Sequence, residues 1–269
     1  EVVRAMQSAG VGIMTGTDSA GLYLYPGFSL HEELALLVKA GLTTMEALQA
    51  ATRNPAKYLG LLERLGTVEQ GKLADLVLLD ANPLLDITNT KRIAAVVVGG
   101  KLITKSELEE LLSEARAEAN PPGTDSRSIG GQPELMTALV GGTVIDGNGG
   151  PPVRDVVVLL KGDRIIRVGR QGSVRYPKTT RVIDLKGKFI VPGLIDLHVH
   201  YSGWMGELFL AHGVTTVKDM GNDVDWISTI SAEMEQGTAR GPRILYVGNG
   251  IDSPPPVRDH HIGVDDPAT

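Results

Sequence analysis

Apolar positions over residues 1–60 recur at the spacing of helices, interrupted by one short continuous run. Residues 1–9 put Val2, Val3 and Met6 on one face, and Gly10 follows as a helix stop. The run Val11–Met14 then enters Gly16-Thr17-Asp18-Ser19, which predicts a strand delivering a carboxylate to its C-terminal end. Ser29-Leu30-His31-Glu32 has capping-box spacing and predicts a helix to about Lys39, with Gly41 beyond it. Thr43-Thr44-Met45-Glu46 is a second such box, opening a helix through Ala51. Asn54-Pro55 opens a shorter helix that ends near Gly60.

The period then changes. Leu73–Asp80 and Ile93–Val98 read as strands, and Gly99-Gly100 is a hairpin signal leading into Lys101-Leu102-Ile103. Residues 106–118 form an amphipathic helix with Leu108, Leu111, Leu112 and Ala115 on one side. The stretch from Asn120 to Glu134, rich in Pro, Gly, Ser and Thr, reads as a linker. Short strands resume at Val140–Ile145, Val156–Leu160, Arg164–Val168 and Val182–Leu185. Ile190–His200 leads into a strand that rises from the Pro192-Gly193 turn to His200, Gly213–Asp219 and Ile244–Gly248 are further strands, and Trp226–Gln236 is a helix.

Composition narrows the chemistry. The 269 residues are 42% hydrophobic and 22% charged, ordinary for a soluble globular chain. A net charge of −6 without a basic aromatic patch argues against nucleic acid as a partner. No apolar run is long enough to span a bilayer. Cysteine is missing, which removes disulfides, thiolate catalysis and Cys-rich zinc sites together, so any metal must be held by histidine and carboxylate. The chain opens at Glu1 with no targeting segment, so an excised or processed stretch is expected. Met136, directly before Thr137, is placed to be a start codon, and nothing basic and apolar precedes the fold there, which favours a cytoplasmic location.

Candidate chemistry centres on Pro192-Gly193-Leu194-Ile195-Asp196-Leu197-His198-Val199-His200. His198 and His200 stand two apart, so on a strand both side chains leave the same face. Two imidazoles there suit a Zn2+-like ion, and the bare spacing equally fits a half-buried histidine pair. The apolar strand rising from a Pro-Gly turn favours the metal. Asp18 taken alone is also compatible with turn or cap chemistry. His212 precedes Gly213 at a helix end and fits a C-terminal capping role, and His31, on the helix after the last strand, fits core or surface packing or a substrate-facing role. His260 and His261 lie in a Pro-rich loop, as a solvated pair or as contacts to substrate or metal.

These strings together resemble the amidohydrolase superfamily, in particular its imidazolonepropionase-like and prolidase-like group. The resemblance rests on PGLIDLHVH (192–200), GVTTVKDMG (213–221), GTDS (16–19), GLTTMEALQAATRNPAKYLG (41–60), GTVEQGKLADLVLLDANP (66–83) and GGTVIDGNG (141–149). It implies an α/β fold with a (β/α) barrel and a small β-sandwich built from both chain ends. His198 and His200 resemble the first-strand metal ligands, and Asp18 the last-strand aspartate that ligates metal and shuttles protons. The implied enzyme is a metal-dependent hydrolase of a C–N bond in an amide, cyclic amide or dipeptide, using one or two divalent ions, Zn2+ first among them.

The order is the departure. The last-strand aspartate comes first, the strand bearing the HxH comes late, and the middle strands, with their lysine and two further histidines, do not appear. Lys218 lies on the second strand and does not match the bridging lysine. A complete barrel takes roughly 250 residues, so the expected fold is a partial TIM-type barrel, the last strand plus the first three, with a composite sandwich. Residues 1–62 would form the C-terminal barrel part, 63–105 and 135–191 the sandwich, 106–134 a helix and linker, and 192–269 the N-terminal barrel part. A window across tandem copies, a truncated circular permutant and a split enzyme all fit this order, and a fragment or permuted chain is favoured. The open strand edges predict self-association or a complementing chain. Phosphotriester or lactone hydrolysis and a catalytically incomplete structural or binding fragment are the competing functions.

Overall fold

Leu76-Val77-Leu78-Leu79 is a continuous apolar run, and each of its side chains is buried. Alternation along the strand divides them between two cores. Val77 and Leu79 pack with Leu30, Leu34, Leu48 and Val214, whereas Leu76 and Leu78 pack with Leu139, Val158, Leu160 and Ile165. A strand covered on both faces has no solvent side to mark with polar residues, which is why its sequence does not alternate.

The computed structural model describes residues 1–19, 21–118, 136–252, 254 and 261–264. Helices α1 (Val2–Ser8), α2 (Phe28–Lys39), α3 (Thr44–Ala50) and α4 (Arg53–Tyr58) precede strands β1 (Leu76–Leu79), β2 (Ile93–Val98) and β3 (Lys101–Thr104). Helix α5 (Lys105–Glu118) leads to β4 (Thr137–Val144), β5 (Val153–Lys161), β6 (Arg164–Arg170), β7 (Arg181–Asp184) and β8 (Phe189–Pro192). Strands β9 (Leu194–Val199), β10 (Val214–Asp219) and β11 (Arg243–Tyr246) alternate with α6 (Gly206–Ala211) and α7 (Val224–Gln236). The architecture is mixed α/β. The linker expected at 120–134 lies outside the described residues.

Eight strands form one sheet in the order β3-β2-β1-β8-β4-β5-β6, with β7 beside β4. The sheet joins distant parts of the chain: β1 pairs antiparallel with β8, matching Leu76 to Pro192 and Leu79 to Phe189. A second sheet, parallel and ordered β11-β10-β9, carries the helices α6 and α7 in its crossovers. Among the described residues no helix is long and apolar enough to cross a membrane.

Several local expectations hold. The Gly99-Gly100 turn joins β2 to β3 with Val98 opposite Lys101. At α3 the Thr43 hydroxyl accepts from the Glu46 amide while the Glu46 carboxylate accepts from the Thr43 amide, the reciprocal box its spacing predicts. The box expected at Ser29 does not form. Helix α2 already begins at Phe28, and Ser29 Oγ instead accepts from the Tyr25 amide at 2.8 Å. Glu32 is thereby released to pair with Lys91.

Between Ile190 and His200 the chain passes from β8 to β9, two strands in two sheets, and Gly193 of the expected Pro-Gly turn is the crossing point. Its amide donates to the Asp75 carbonyl at 2.8 Å. A Cβ there would sit 2.0 Å from Thr215 Oγ1, so no larger residue fits between β9 and β10. Gly193→Ala should lower stability by about 1–3 kcal/mol, as overpacking does. Urea unfolding would show this, and Thr215→Ala in the same chain should recover part of the loss.

His31, fully buried on α2, ties this helix to the parallel sheet region. Nε2–H donates to the His212 carbonyl at 3.0 Å, a bond that requires the proton on that nitrogen, and Nδ1 meets Thr90 Oγ1 at 2.9 Å. Burial first, then the neighbouring His212 and Lys91, lower its pKa from 6.5 to about 3. Folding keeps the ring neutral while the unfolded chain takes up a proton below pH 6.5. The stabilisation is therefore full above that pH and drains away as pH falls toward about 3. The stability advantage of the parent over His31→Gln should shrink between pH 7.5 and pH 5, values chosen to straddle the imidazole range of about 6.5. Urea midpoints of both proteins at each pH measure it, and a constant gap would contradict the assignment.

Candidate metal centre

The histidine pair stands at the C-terminal end of β9, with residues 15–19 laid alongside. The Leu197 amide donates to the Thr15 carbonyl at 3.1 Å, the Asp18 amide to the His198 carbonyl at 2.7 Å, and the His200 amide to the Ser19 carbonyl. Thr15 Oγ1 adds a bond to the Ile195 carbonyl at 2.9 Å. The strand expected at Val11–Met14 is not regular: the Val11 amide turns back to the Met6 carbonyl at 3.0 Å, and the donors that follow also turn elsewhere. The Thr15 amide goes to the Ala50 carbonyl at 2.9 Å. The Gly16 amide goes to the Glu33 carboxylate and the Thr17 amide to Asp196. What remains of sheet pairing is a parallel bridge between Ser19 and Val199.

This placement brings together the three residues that the sequence singled out. Asp18 Oδ1 lies 3.4 Å from His198 Nε2 and 3.1 Å from His200 Nε2. The two imidazoles meet edge to face, with centroids 5.6 Å apart. One ligand atom from each residue lies within 4.8 Å of the others. Asp18 reaches this position with φ at 58°, a left-handed conformation that aspartate tolerates better than most side chains. The Asp18 side chain is 58% exposed, so the cluster opens to solvent rather than being sealed in the core.

A ring of buried polar groups holds the cluster from behind. Asp196, fully buried, accepts from the Thr17 amide at 3.0 Å, from Thr17 Oγ1 at 2.6 Å and from the His198 amide at 3.2 Å. Burial raises its pKa, and those donors oppose the rise. Asp219, also buried, ends β10 and accepts from the Tyr201 and Gly221 amides and from Asn222 Nδ2. The turn that follows His200 is therefore pinned to the next strand. Gly16 is wedged between both sides: a Cβ there would lie 3.0 Å from His198 Cβ.

The sequence reading missed Asp196, Asp219 and Thr17. The available signal was period: Asp196 precedes His198 by the same two residues that separate His198 from His200. Other candidates lie elsewhere. His260 falls outside the described residues. His261 is not in the cluster; its Nδ1 lies 2.6 Å from Asp252 Oδ2 in the loop beyond β11. His212 Nδ1–H donates to the Leu208 carbonyl at 2.8 Å at the end of α6, as its position predicted. Lys218 Nζ sits 5.8 Å from the centre of the Tyr58 ring.

Residues 1–103 match the family described as the Amidohydrolase family. The chain is 33% identical over 132 residues to a 5-methylthioadenosine/S-adenosylhomocysteine deaminase of Moorella thermoacetica, covering 42% of this chain and 31% of that protein. It is 41% identical over 83 residues to an imidazolonepropionase of Agrobacterium fabrum, covering 29% of this chain and 19% of that protein. The solved structure of molinate hydrolase is 31% identical, with a TM-score of 0.38, over 44% of this chain and 31% of that one. Over these stretches the chain is similar to amidohydrolases. It spans less than a third of the length of the two curated relatives, at 31% and 19%.

Glu33 gives the centre a pH-dependent neighbour. Burial raises its pKa from 4.5 to about 7, opposed by the Gly16 amide and reinforced by Asp196. The folded chain thus keeps a proton that the unfolded chain releases, and the associated stability, full below pH 4.5, is lost as pH rises through about 7. Glu33→Gln keeps an acceptor for Gly16 without the charge. Its stability relative to the parent should increase between about pH 5 and about pH 8. Urea midpoints of the pair decide this, and a gap independent of pH would count against it.

Proposed function

We propose that the chain carries part of a metal-dependent amidohydrolase centre that cleaves a C–N bond in an amide, a cyclic amide or a dipeptide. The observation that carries this reading is the convergence of Asp18, His198 and His200 within 4.8 Å across two distant parts of the chain. Two imidazole nitrogens and one carboxylate oxygen match the ligand types of catalytic zinc sites, which keep a further position open. The exposure of these side chains leaves room for that position, so the donor set fits a divalent ion, Zn2+ first. The match of residues 1–103 to the amidohydrolase family, and relatives that include a deaminase and an imidazolonepropionase, support the C–N bond as the target.

The roles follow from the donors. His198 and His200 would hold the ion through Nε2 and Asp18 through Oδ1, the atoms that face one another. A divalent ion supplies Lewis acidity, making water acidic enough to lose a proton near neutral pH and drawing charge from a carbonyl. Asp18 Oδ2, which makes neither histidine contact, is the oxygen that takes the proton and returns it to the leaving nitrogen. His261, oriented by Asp252, and His260 stand as substrate contacts.

The wider frame belongs to the same reading. Residues 11–19, β9, β10 and β11 are consecutive staves of a partial (β/α) barrel, and the eight-stranded sheet is the composite sandwich beside it. A second copy or a complementing chain supplies the remaining staves. Purified chain should retain a divalent metal by elemental analysis and hydrolyse members of a dipeptide and lactam panel. Asp18→Asn should cut that turnover by about 10²–10⁴-fold, the usual contribution of a positioned acid–base group. Protein without retained metal, and no turnover even in excess Zn2+, would overturn the proposal.

A further inference from the structure

Asp18, His198 and His200 come from segments about 180 positions apart, so something other than chain connectivity must set their spacing. The Thr17 to Asp196 bonds span 179 positions and are a direct side-chain tie between the two segments. Asp196 Oδ1 accepts from the Thr17 amide and from the His198 amide, and Oδ2 accepts the Thr17 hydroxyl. Because that hydroxyl spends its proton on Asp196, the 2.6 Å contact between Thr17 Oγ1 and Ser19 Oγ must be donated by Ser19. The Ser19 amide also donates to Thr17 Oγ1, at 3.2 Å, and the Ser19 carbonyl receives the His200 amide. The circuit runs from His198 through Asp196, Thr17 and Ser19 to His200, and Asp18 sits inside it between Thr17 and Ser19.

We infer that Asp196 is a positioning residue for the metal centre, the group that fixes the distance between the aspartate-bearing segment and the histidine-bearing strand. This rests on the metal reading proposed above. A fully buried carboxylate served by two amides and a hydroxyl costs desolvation that an apolar residue would avoid. An apolar side chain would take from the Thr17 amide and from the Thr17 hydroxyl proton the acceptor they use here, and the left-handed Asp18 between Thr17 and Ser19 would lose its constraint. Asp196 touches neither substrate nor ion in this scheme. It acts through the backbone that carries the ligands, as outer-shell partners of metal sites do.

The test is Co2+ binding to the purified chain, followed by equilibrium dialysis and by the visible absorption of the bound ion. Asp196→Asn turns one acceptor oxygen into a donor facing donors. It should weaken Co2+ by about 10–100-fold and shift the absorption bands although all ligands remain. Thr17→Val should do the same to a smaller extent, and Thr17→Ser, which keeps the hydroxyl, should restore the parental spectrum. The Thr17 pair carries the test if Asp196→Asn does not fold. Parental affinity and spectrum in both Asp196→Asn and Thr17→Val, or in Thr17→Val where the former is unfolded, would overturn the inference while leaving the metal site standing. A parent chain that takes up no Co2+ would overturn the metal reading and this inference with it.

Discussion

Everything at the candidate site depends on the lateral seam between residues 15–19 and β9. Backbone bonds from Leu197 to Thr15, from Asp18 to His198 and from His200 to Ser19 lay the two segments side by side. Without that seam, the histidine pair is an exposed strand end and Asp18 a residue in a turn. With it, three donors of complementary type lie within 4.8 Å. The seam is not a plain β ladder, because two of its amides are diverted to the carboxylates of Glu33 and Asp196. This diversion couples the position of the ligands to buried charge.

The seam in turn relies on two cores that share strands. Val77 and Val191 pack against α2, α3 and the parallel sheet, while their neighbours Leu76 and Ile190 face the interior of the eight-stranded sheet. Each such side chain, fully buried, contributes on the order of 1.5–3 kcal/mol. The chain moves from one sheet to the other within a single residue, Gly193, where the approach of Thr215 leaves no room for a Cβ. The start of β9, and with it the height of His198 and His200 above the sheet, is fixed at that crossing.

Much of this was legible in local pattern. Helix α3 with its Thr43 cap, the Gly99-Gly100 hairpin and the strand at Ile93–Val98 follow from spacing and turn chemistry acting over a few residues. So did the common face of His198 and His200. Local pattern misled where two plausible signals competed. Ser29 has the right spacing for a cap, but the helix starts before it, and the apolar run Val11–Met14 is not a regular strand. Apolar run length does not report which neighbours a strand acquires.

Alone, then, the sequence determined the elements, the two-residue period of Asp196, His198 and His200, and the donor types available to a metal once cysteine was missing. Tertiary structure decided which donors meet. Thr17 and Asp196 lie 179 positions apart, and the partner of a buried carboxylate is chosen by packing rather than by spacing. Hydrogen-bond partners at that range carry no periodic signature, because the geometry joining them exists only after both cores have closed.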